Sequence, residues 1–239
     1  MTTTYGRSPG GYVWALLQPL ILITFLSYVF GLIQRSPSLG TSFMVFYATA
    51  ILPFRMFAAV SGQIATSIQF SKALLVYPRV TFIDALLARF LLGVLTNTVV
   101  SVVILTGIYA FQDTRPMLLD FGPILTAFSL AAFLAVGVGV LNCYLFSLLP
   151  LYRIAWGIFT GPLLILSAVL YIYEELPSLA QTVLWWNPLI HLTGMSRSGF
   201  FSYYNPEYVS PVYVAIFATI PMFFGLLLLR RYYRYILYI

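Results

Sequence analysis

Six apolar runs, each about the length that crosses a lipid bilayer, take up most of this 239-residue chain. They lie at about 13–33, 43–65, 85–111, 123–149, 156–173 and 212–229. A helix rising 1.5 Å per residue needs roughly 20 residues to cross a hydrocarbon core about 30 Å thick. Inside that core the backbone has no water to bond, so a crossing segment must satisfy its own N–H and C=O groups, as an α-helix does. Charged residues make up 8% of the chain, against about 25% in ordinary soluble domains. A soluble fold of this size has too little interior for so much apolar surface, and a disordered chain is excluded by the same property. The expected class is therefore an all-α integral membrane protein, a single domain over 1–239 with six transmembrane helices. No small-residue cleavage site follows the first run, so it reads as retained rather than as a signal peptide.

Between the fifth and sixth runs, the stretch 176–201 reads LPSLAQTVLWWNPLIHLTGMSRSGFF. Apolar pieces of about ten residues are broken at Asn187-Pro188 and again at Ser196-Arg197-Ser198-Gly199, each too short to cross. Two short halves with a polar break predict a re-entrant hairpin. The competing reading is an interfacial loop with amphipathic pieces.

Basic residues orient such a bundle, because they are retained on the cytoplasmic side. Six crossings place the N-terminus, the 66–84 loop, the 149–155 loop and the C-terminus together. With the flanking Arg89 these carry Arg7, Lys72, Arg79, Arg89, Arg153, Arg230, Arg231 and Arg234 against the single acid Asp84, a net +7. The opposite side holds Arg35, Arg55, Arg115 and Arg197 against Asp113, Asp120, Glu174, Glu175 and Glu207, a net −1. Both termini are expected in the cytoplasm. The basic balance is thus a topology signal and calls for no nucleic-acid partner.

Several chemistries are missing. The only lysine, Lys72, lies in FSKALL, so the chain has no phosphate-binding P-loop and does not bind ATP by that route. No H-E-x-x-H or G-x-S-x-G motif occurs. One cysteine, Cys143, and one histidine, His191, exclude an internal disulfide and a Cys- or His-cluster metal site. No catalytic residue, cofactor site or metal site is expected. No carboxylate lies well inside a run, which argues against a proton-coupled carrier. Arg55, after Pro53 in ILPFRMF, is the unusual charge. It either lines a path for an anionic substrate or snorkels to the outer interface. Trp185 and Trp186 read either as part of the aromatic belt at the membrane edge or as a stacking surface for sugar rings.

Three stretches together resemble a known family. TYGRSPGGYVWALLQPL resembles the entry to the first span of type-2 ABC exporters of polysaccharides. ILPFRMF, followed by ALLVYPRVTFIDALLAR, resembles their second span and cytoplasmic loop. LPSLAQTVLWWNPLIHLTGMSRSGFF resembles their outward re-entrant region, above all NPLIH with an arginine six residues on. The ordered set, covering nearly the whole chain, is similar to the membrane permease of bacterial group 2 capsule exporters.

The resemblance implies a homodimer in the bacterial inner membrane, paired with two copies of a separate ATPase that holds ATP and Mg. A periplasmic co-polymerase or adaptor and a lipid-linked anionic polysaccharide complete the implied set. It implies a coupling helix at about 71–84, with Lys72, Tyr77, Pro78, Arg79 and Asp84 as the matching positions. It implies a translocation path or outer gate with Arg55, Trp185, Trp186, Asn187, His191 and Arg197, in which His191 reads first as a packing or hydrogen-bonding residue of the hairpin and second as a substrate contact. O-antigen or teichoic acid is the alternative cargo, and a membrane-embedded glycan-modifying enzyme built on His191 is the rival of another class. Two departures stand out. Twelve residues precede Val13, where the family usually carries an amphipathic interfacial helix, so either the start is truncated or that helix is lacking. Arg153 stands alone in LPLYRIAW, without the acid often found beside it, so a salt bridge there is expected to be absent.

Overall fold

Each apolar run carries a helix in the computed structural model, which describes residues 11–77, 79–112 and 119–238. Arg7, Pro78, Asp113 and Arg115 lie outside the described residues. The helices are α1 (Gly11–Ile33), α2 (Phe43–Ala65), α3 (Ser67–Phe70), α4 (Phe82–Gln112), α5 (Phe121–Leu148), α6 (Pro150–Leu166), α7 (Ser178–Leu184), α8 (Pro188–Phe200) and α9 (Pro211–Tyr238). A single 3₁₀ turn, Tyr173–Glu175, precedes α7, and no strand occurs among the described residues.

Among the described residues, five helices are long and apolar enough to cross a bilayer: Val13–Ile33, Phe43–Ala65, Phe82–Phe111, Phe121–Leu148 and Pro211–Leu237. The last run outlasts its expected end at 229 by nine residues, to Tyr238, and the fifth run differs from its expected bounds of 156–173. Its helix, α6, has 17 residues, begins at Pro150 and stops at Leu166. Proline suits the first turn of a helix, where its missing N–H is not needed, so α6 starts directly after Leu149. The chain leaves the helix at Ser167, and Ala168 takes a left-handed φ of 56°. That conformation costs an alanine about 1–2 kcal/mol, so the surrounding structure must hold the corner in place.

The 176–201 region is a helix–break–helix unit, α7 then α8. The expected break at Asn187-Pro188 is present, but the one at 196–199 is not, because α8 runs on to Phe200. Ser196 and Arg197 are helical and buried rather than looped out.

α2 is the centre of the bundle, with sixteen of its 23 residues buried against α1, α4, α5 and α8. α5 lies between α2 and α9, and bare Cα positions let these backbones approach. A Cβ on Gly225 would lie 2.6 Å from the Leu141 nitrogen, and one on Gly139 would lie 2.9 Å from the Ser61 carbonyl oxygen. A Cβ on Gly137 would collide with the Ala218 carbonyl.

Contacts sort the loops to two ends. At one end, Phe82 meets Tyr233 at 5.2 Å, Tyr144 meets Tyr232 at 5.8 Å, and Arg153 reaches Gln69 at 3.4 Å. The start of α4, the ends of α5 and α9, α3 and the start of α6 therefore converge there, with most of the basic residues. At the other end, the Asp120 N–H donates to the Gly199 carbonyl (3.0 Å), Ser38 to Glu175 (3.2 Å) and Tyr204 to Glu174 (3.0 Å). Asp120, Glu174 and Glu175 gather at that second end, whereas Asp84 stays at the first.

Replacing Gly225 with Ala should destabilise the α5–α9 contact by about 1–3 kcal/mol, the usual cost of overpacking. Gly107→Ala, whose new Cβ meets nothing within 4 Å, should be neutral or slightly stabilising. Thermal unfolding of the two variants in detergent checks this contrast.

Candidate functional site

A helix that ends inside a structure leaves its last carbonyls without partners. α6 ends at Leu166, and α8 supplies the donors. Asn187 caps α8 by accepting from the Leu189 N–H (3.1 Å), and its Nδ2 donates to the Leu166 carbonyl (3.0 Å). Thr193 Oγ1 donates to the Ser167 carbonyl at 2.9 Å. Arg197 donates to the carbonyls of Tyr171 (2.8 Å) and Val169 (3.0 Å), with its guanidinium 4.1 Å from the centre of the Phe46 ring.

A further orphan arises in α2. Pro53 has no N–H and leaves the carbonyl of Thr49, four residues back, without its helical donor. The Ser196 hydroxyl donates to that carbonyl at 2.7 Å. Thr193, Ser196 and Arg197 stand at i, i+3 and i+4, the spacing that brings side chains to one region of a helix surface. All three are buried, Arg197 to 1% exposure. The polar cluster that resembled a break is thus the set of donors that seats α8 against α2 and the end of α6.

His191 is also fully buried. Its Nδ1 accepts from the Ser210 N–H (3.2 Å), and Nε2 lies 2.9 Å from the Trp185 carbonyl. A backbone N–H can only donate, so the proton sits on Nε2 and the ring is neutral. With both nitrogens engaged, His191 ties the α7–α8 corner to the start of α9 and presents no free acid or base. Trp185 is packed inward, its Nε1 donating to the Tyr208 carbonyl (3.2 Å) and its ring 4.9 Å from that of Tyr213. Trp186 faces outward at 65% exposure, and its carbonyl accepts from the Tyr213 hydroxyl at 2.7 Å.

Arg55 stands apart from this cluster. It lies twelve residues into α2 from Phe43, about 18 Å along the axis at 1.5 Å per residue, too deep for an arginine to snorkel to that end. It is half-buried and donates to Gln18 Oε1 of α1 at 2.8 Å. A polar partner at depth, rather than the interface, meets its hydrogen-bonding need.

At the basic end, the 71–77 segment is a succession of turns rather than the regular helix the resemblance implies. Lys72, Tyr77 and Arg79 are exposed, as is Val76, while Leu75 is buried and anchors the segment. Asp84 caps α4: its carboxylate accepts from the Thr81 N–H and hydroxyl, both at 2.8 Å, and the Asp84 N–H returns to Thr81 Oγ1 at 3.3 Å. This reciprocal pair is a capping box. The residues named from sequence therefore occupy three places: an exposed basic loop, a mid-helix arginine, and a buried polar seat at the acidic end. Thr193, Ser196 and Gln18 were not among them. Pro53 was the available signal for Ser196, since a proline inside a buried helix requires a donor for the carbonyl four residues before it.

A lipid-length helical bundle with an exposed basic loop and no ATP-binding loop has the features of a transporter membrane subunit. The chain belongs to the ABC-2 type transporter family, which it matches over residues 1–201. It is 28% identical over 228 residues to the polysialic acid transport protein KpsM of Escherichia coli, covering 95% of this chain and 88% of that one. It is 29% identical over 232 residues to the capsule polysaccharide export inner-membrane protein CtrC of Neisseria meningitidis serogroup B, covering 96% and 86%. Against the capsule polysaccharide export inner-membrane protein BexB of Haemophilus influenzae the identity is 25% over 230 residues, with 96% and 86% covered.

Arg197→Met should leave the carbonyls of Val169 and Tyr171 without these donors and lower stability by about 2–6 kcal/mol, the range for two buried polar groups left unmatched. Thermal unfolding and the level of folded protein in membranes measure it. Stability equal to wild type would contradict the seating role.

Proposed function

We propose that this chain is the permease subunit of an ATP-driven exporter that carries a lipid-linked, anionic capsular polysaccharide across the bacterial inner membrane from the cytoplasm. The observation that carries the reading is the near end-to-end similarity to several capsule-export membrane proteins of different bacteria. In this reading α6 acts as a sixth crossing, thin at 17 residues but within the range that spans. The α7–α8 unit re-enters from the periplasmic side. The basic end faces the cytoplasm, which sets both termini there.

The chain performs no covalent chemistry and holds no cofactor; ATP and Mg belong to two copies of a separate ATPase. The 71–84 segment, with Lys72, Tyr77, Pro78, Arg79 and Asp84, is the docking element for that ATPase. Exposed Val76 and Tyr77 beside Lys72 and Arg79 form an apolar contact with a basic rim, which suits such a partner. A second copy of the chain completes the pathway, since one bundle has too few helices to enclose a sugar-wide channel. α6 is available for that contact: none of its residues is buried, and Gly157 and Gly161, in G-x-x-x-G spacing, face open space. Arg55 eases the anionic polymer through, Trp186 is the exposed aromatic for sugar contact, and a periplasmic adaptor receives the polymer.

Deleting the gene and fractionating the cells tests the reading. Loss of surface polysaccharide with finished, lipid-capped polymer retained in the cytoplasm is the expected outcome. The charge and end group of the retained polymer separate capsule from O-antigen or teichoic acid. Polymer that still reaches the surface but lacks a substituent would replace the exporter with a membrane enzyme.

A second test isolates the charge of Arg55. Glutamine can keep a hydrogen bond to Gln18 while removing the cation. Arg55→Gln should lower export of the acidic polymer at an unchanged membrane level. Wild-type export from that variant would leave the Arg55–Gln18 pair as a structural contact alone.

A further inference from the structure

The junction between the basic loop and the bundle carries a buried cation that the proposed function does not use. Arg89 lies on α4, two turns past the Thr81–Asp84 cap, and is only 6% exposed. Its guanidinium carbon sits 3.5 Å from the centre of the Phe70 ring, the closest such stack among the described residues. Phe70 closes α3, the single turn that follows α2 after Thr66. The stack therefore joins the C-terminal side of α2 to α4 across the base of the 71–81 segment.

The neighbouring positions support the same joint. Ala85, Arg89 and Gly93 recur every four residues and share one face of α4, and Ala85 and Arg89 are buried core positions. Gly93 admits α2 closely: a Cβ there would lie 2.6 Å from Gln63 Oε1 and 3.3 Å from Val60. One turn further toward the loop, the ring of Phe70 covers Arg89. At the other end of the segment, the Thr81–Asp84 box fixes the start of α4, and Phe82 packs on Tyr233 of α9 at 5.2 Å. Arg153 of α6 reaches Gln69, beside Phe70, at 3.4 Å. A load applied to the exposed loop thus meets α2 and α4 through two fixed points, one of which is the stack.

We propose that Arg89 is a positioning residue for energy coupling, and that its stack with Phe70 makes α3 and α4 move as one body when the ATPase pushes on the 71–81 segment. The proposal rests on the reading that this segment docks on the ATPase. Phe70 is half-exposed and lies at the edge of the bundle, so its substitution tests the joint without opening the core. A desolvated cation over an aromatic face is a strong contact, and leucine keeps apolar volume while removing the π face. Mutations along a coupled network change coupling by amounts that correspond to a few-fold to about thirtyfold.

The experiment uses the full chain co-expressed with its ATPase partner. Co-purification, ATP hydrolysis by the purified complex and surface polymer in cells are measured for wild type, Phe70→Leu, Phe70→Trp and Arg89→Met. Phe70→Leu should retain the ATPase and its hydrolysis, while polymer exported per ATP hydrolysed falls by about fivefold or more. Phe70→Trp, which restores an aromatic face, should recover most of that loss. Arg89→Met should match Phe70→Leu where it reaches the membrane at normal levels. An unchanged ratio of export to hydrolysis in Phe70→Leu overturns the proposal. Loss of the ATPase from Phe70→Leu also overturns it, because Phe70 would then belong to the docking surface itself. Failure of the wild-type chain to retain an ATPase sinks the docking reading instead, and is distinguished by that control.

Discussion

A carbonyl freed inside an apolar structure has to be given a donor, and the arrangement of this bundle follows from where those donors stand. Pro53 opens α2 at Thr49, and α6 stops short at Leu166 with a left-handed Ala168 behind it. Both defects would be costly without partners, since an unmatched buried polar group costs about 1–3 kcal/mol. Asn187, Thr193, Ser196 and Arg197 supply the partners from one short helix and its cap. α8 is therefore less a crossing element than a polar wedge, held where the irregular backbone of its neighbours needs it.

The same economy links the two ends of the molecule. α2 is the most buried of the long helices, so it touches the polar seat of α8 near its start and the basic loop just past its end. Glycines on α5 and α9 bring those helices close enough to act as a rigid block beside it. By contrast, α6 buries no residue, and α1 buries few of its own. A rigid α2–α5–α9 centre with exposed flanking helices suits a machine in which a push at one end is carried through packed helices and felt at the other.

His191 illustrates how packing fixes the role of a residue. As the lone histidine in a membrane segment it is a natural candidate for chemistry. In place, a backbone N–H occupies one nitrogen and a carbonyl the other, so it works as a neutral tie between helices. Arg197 does change meaning, from a cation near an anionic path to a clamp on two carbonyls. Arg55 keeps its mid-helix position, but beside a glutamine that no pattern in the chain had marked.

Hydrophobic length and the scarcity of charge determined by themselves that the chain is helical and lipid-sized, and gave four of its long helices within a few residues, while α9 runs nine residues past its expected end. The unequal charges on alternate loops anticipated the two ends, since each crossing reverses the side on which a loop emerges. The order of its motifs pointed to the transporter family. Tertiary structure alone decided the rest: that α6 is shifted and short, that 196–199 is helix rather than break, that 71–77 is a run of turns, and which carbonyl each polar side chain serves. The physical reason is that hydropathy reports the medium a segment prefers, whereas a hydrogen bond depends on which orphaned backbone group a neighbouring helix brings within 3 Å. A proline inside a helix, such as Pro53, announces its orphan in advance, because the absence of an N–H is covalent; the identity of the donor that answers it is set by packing.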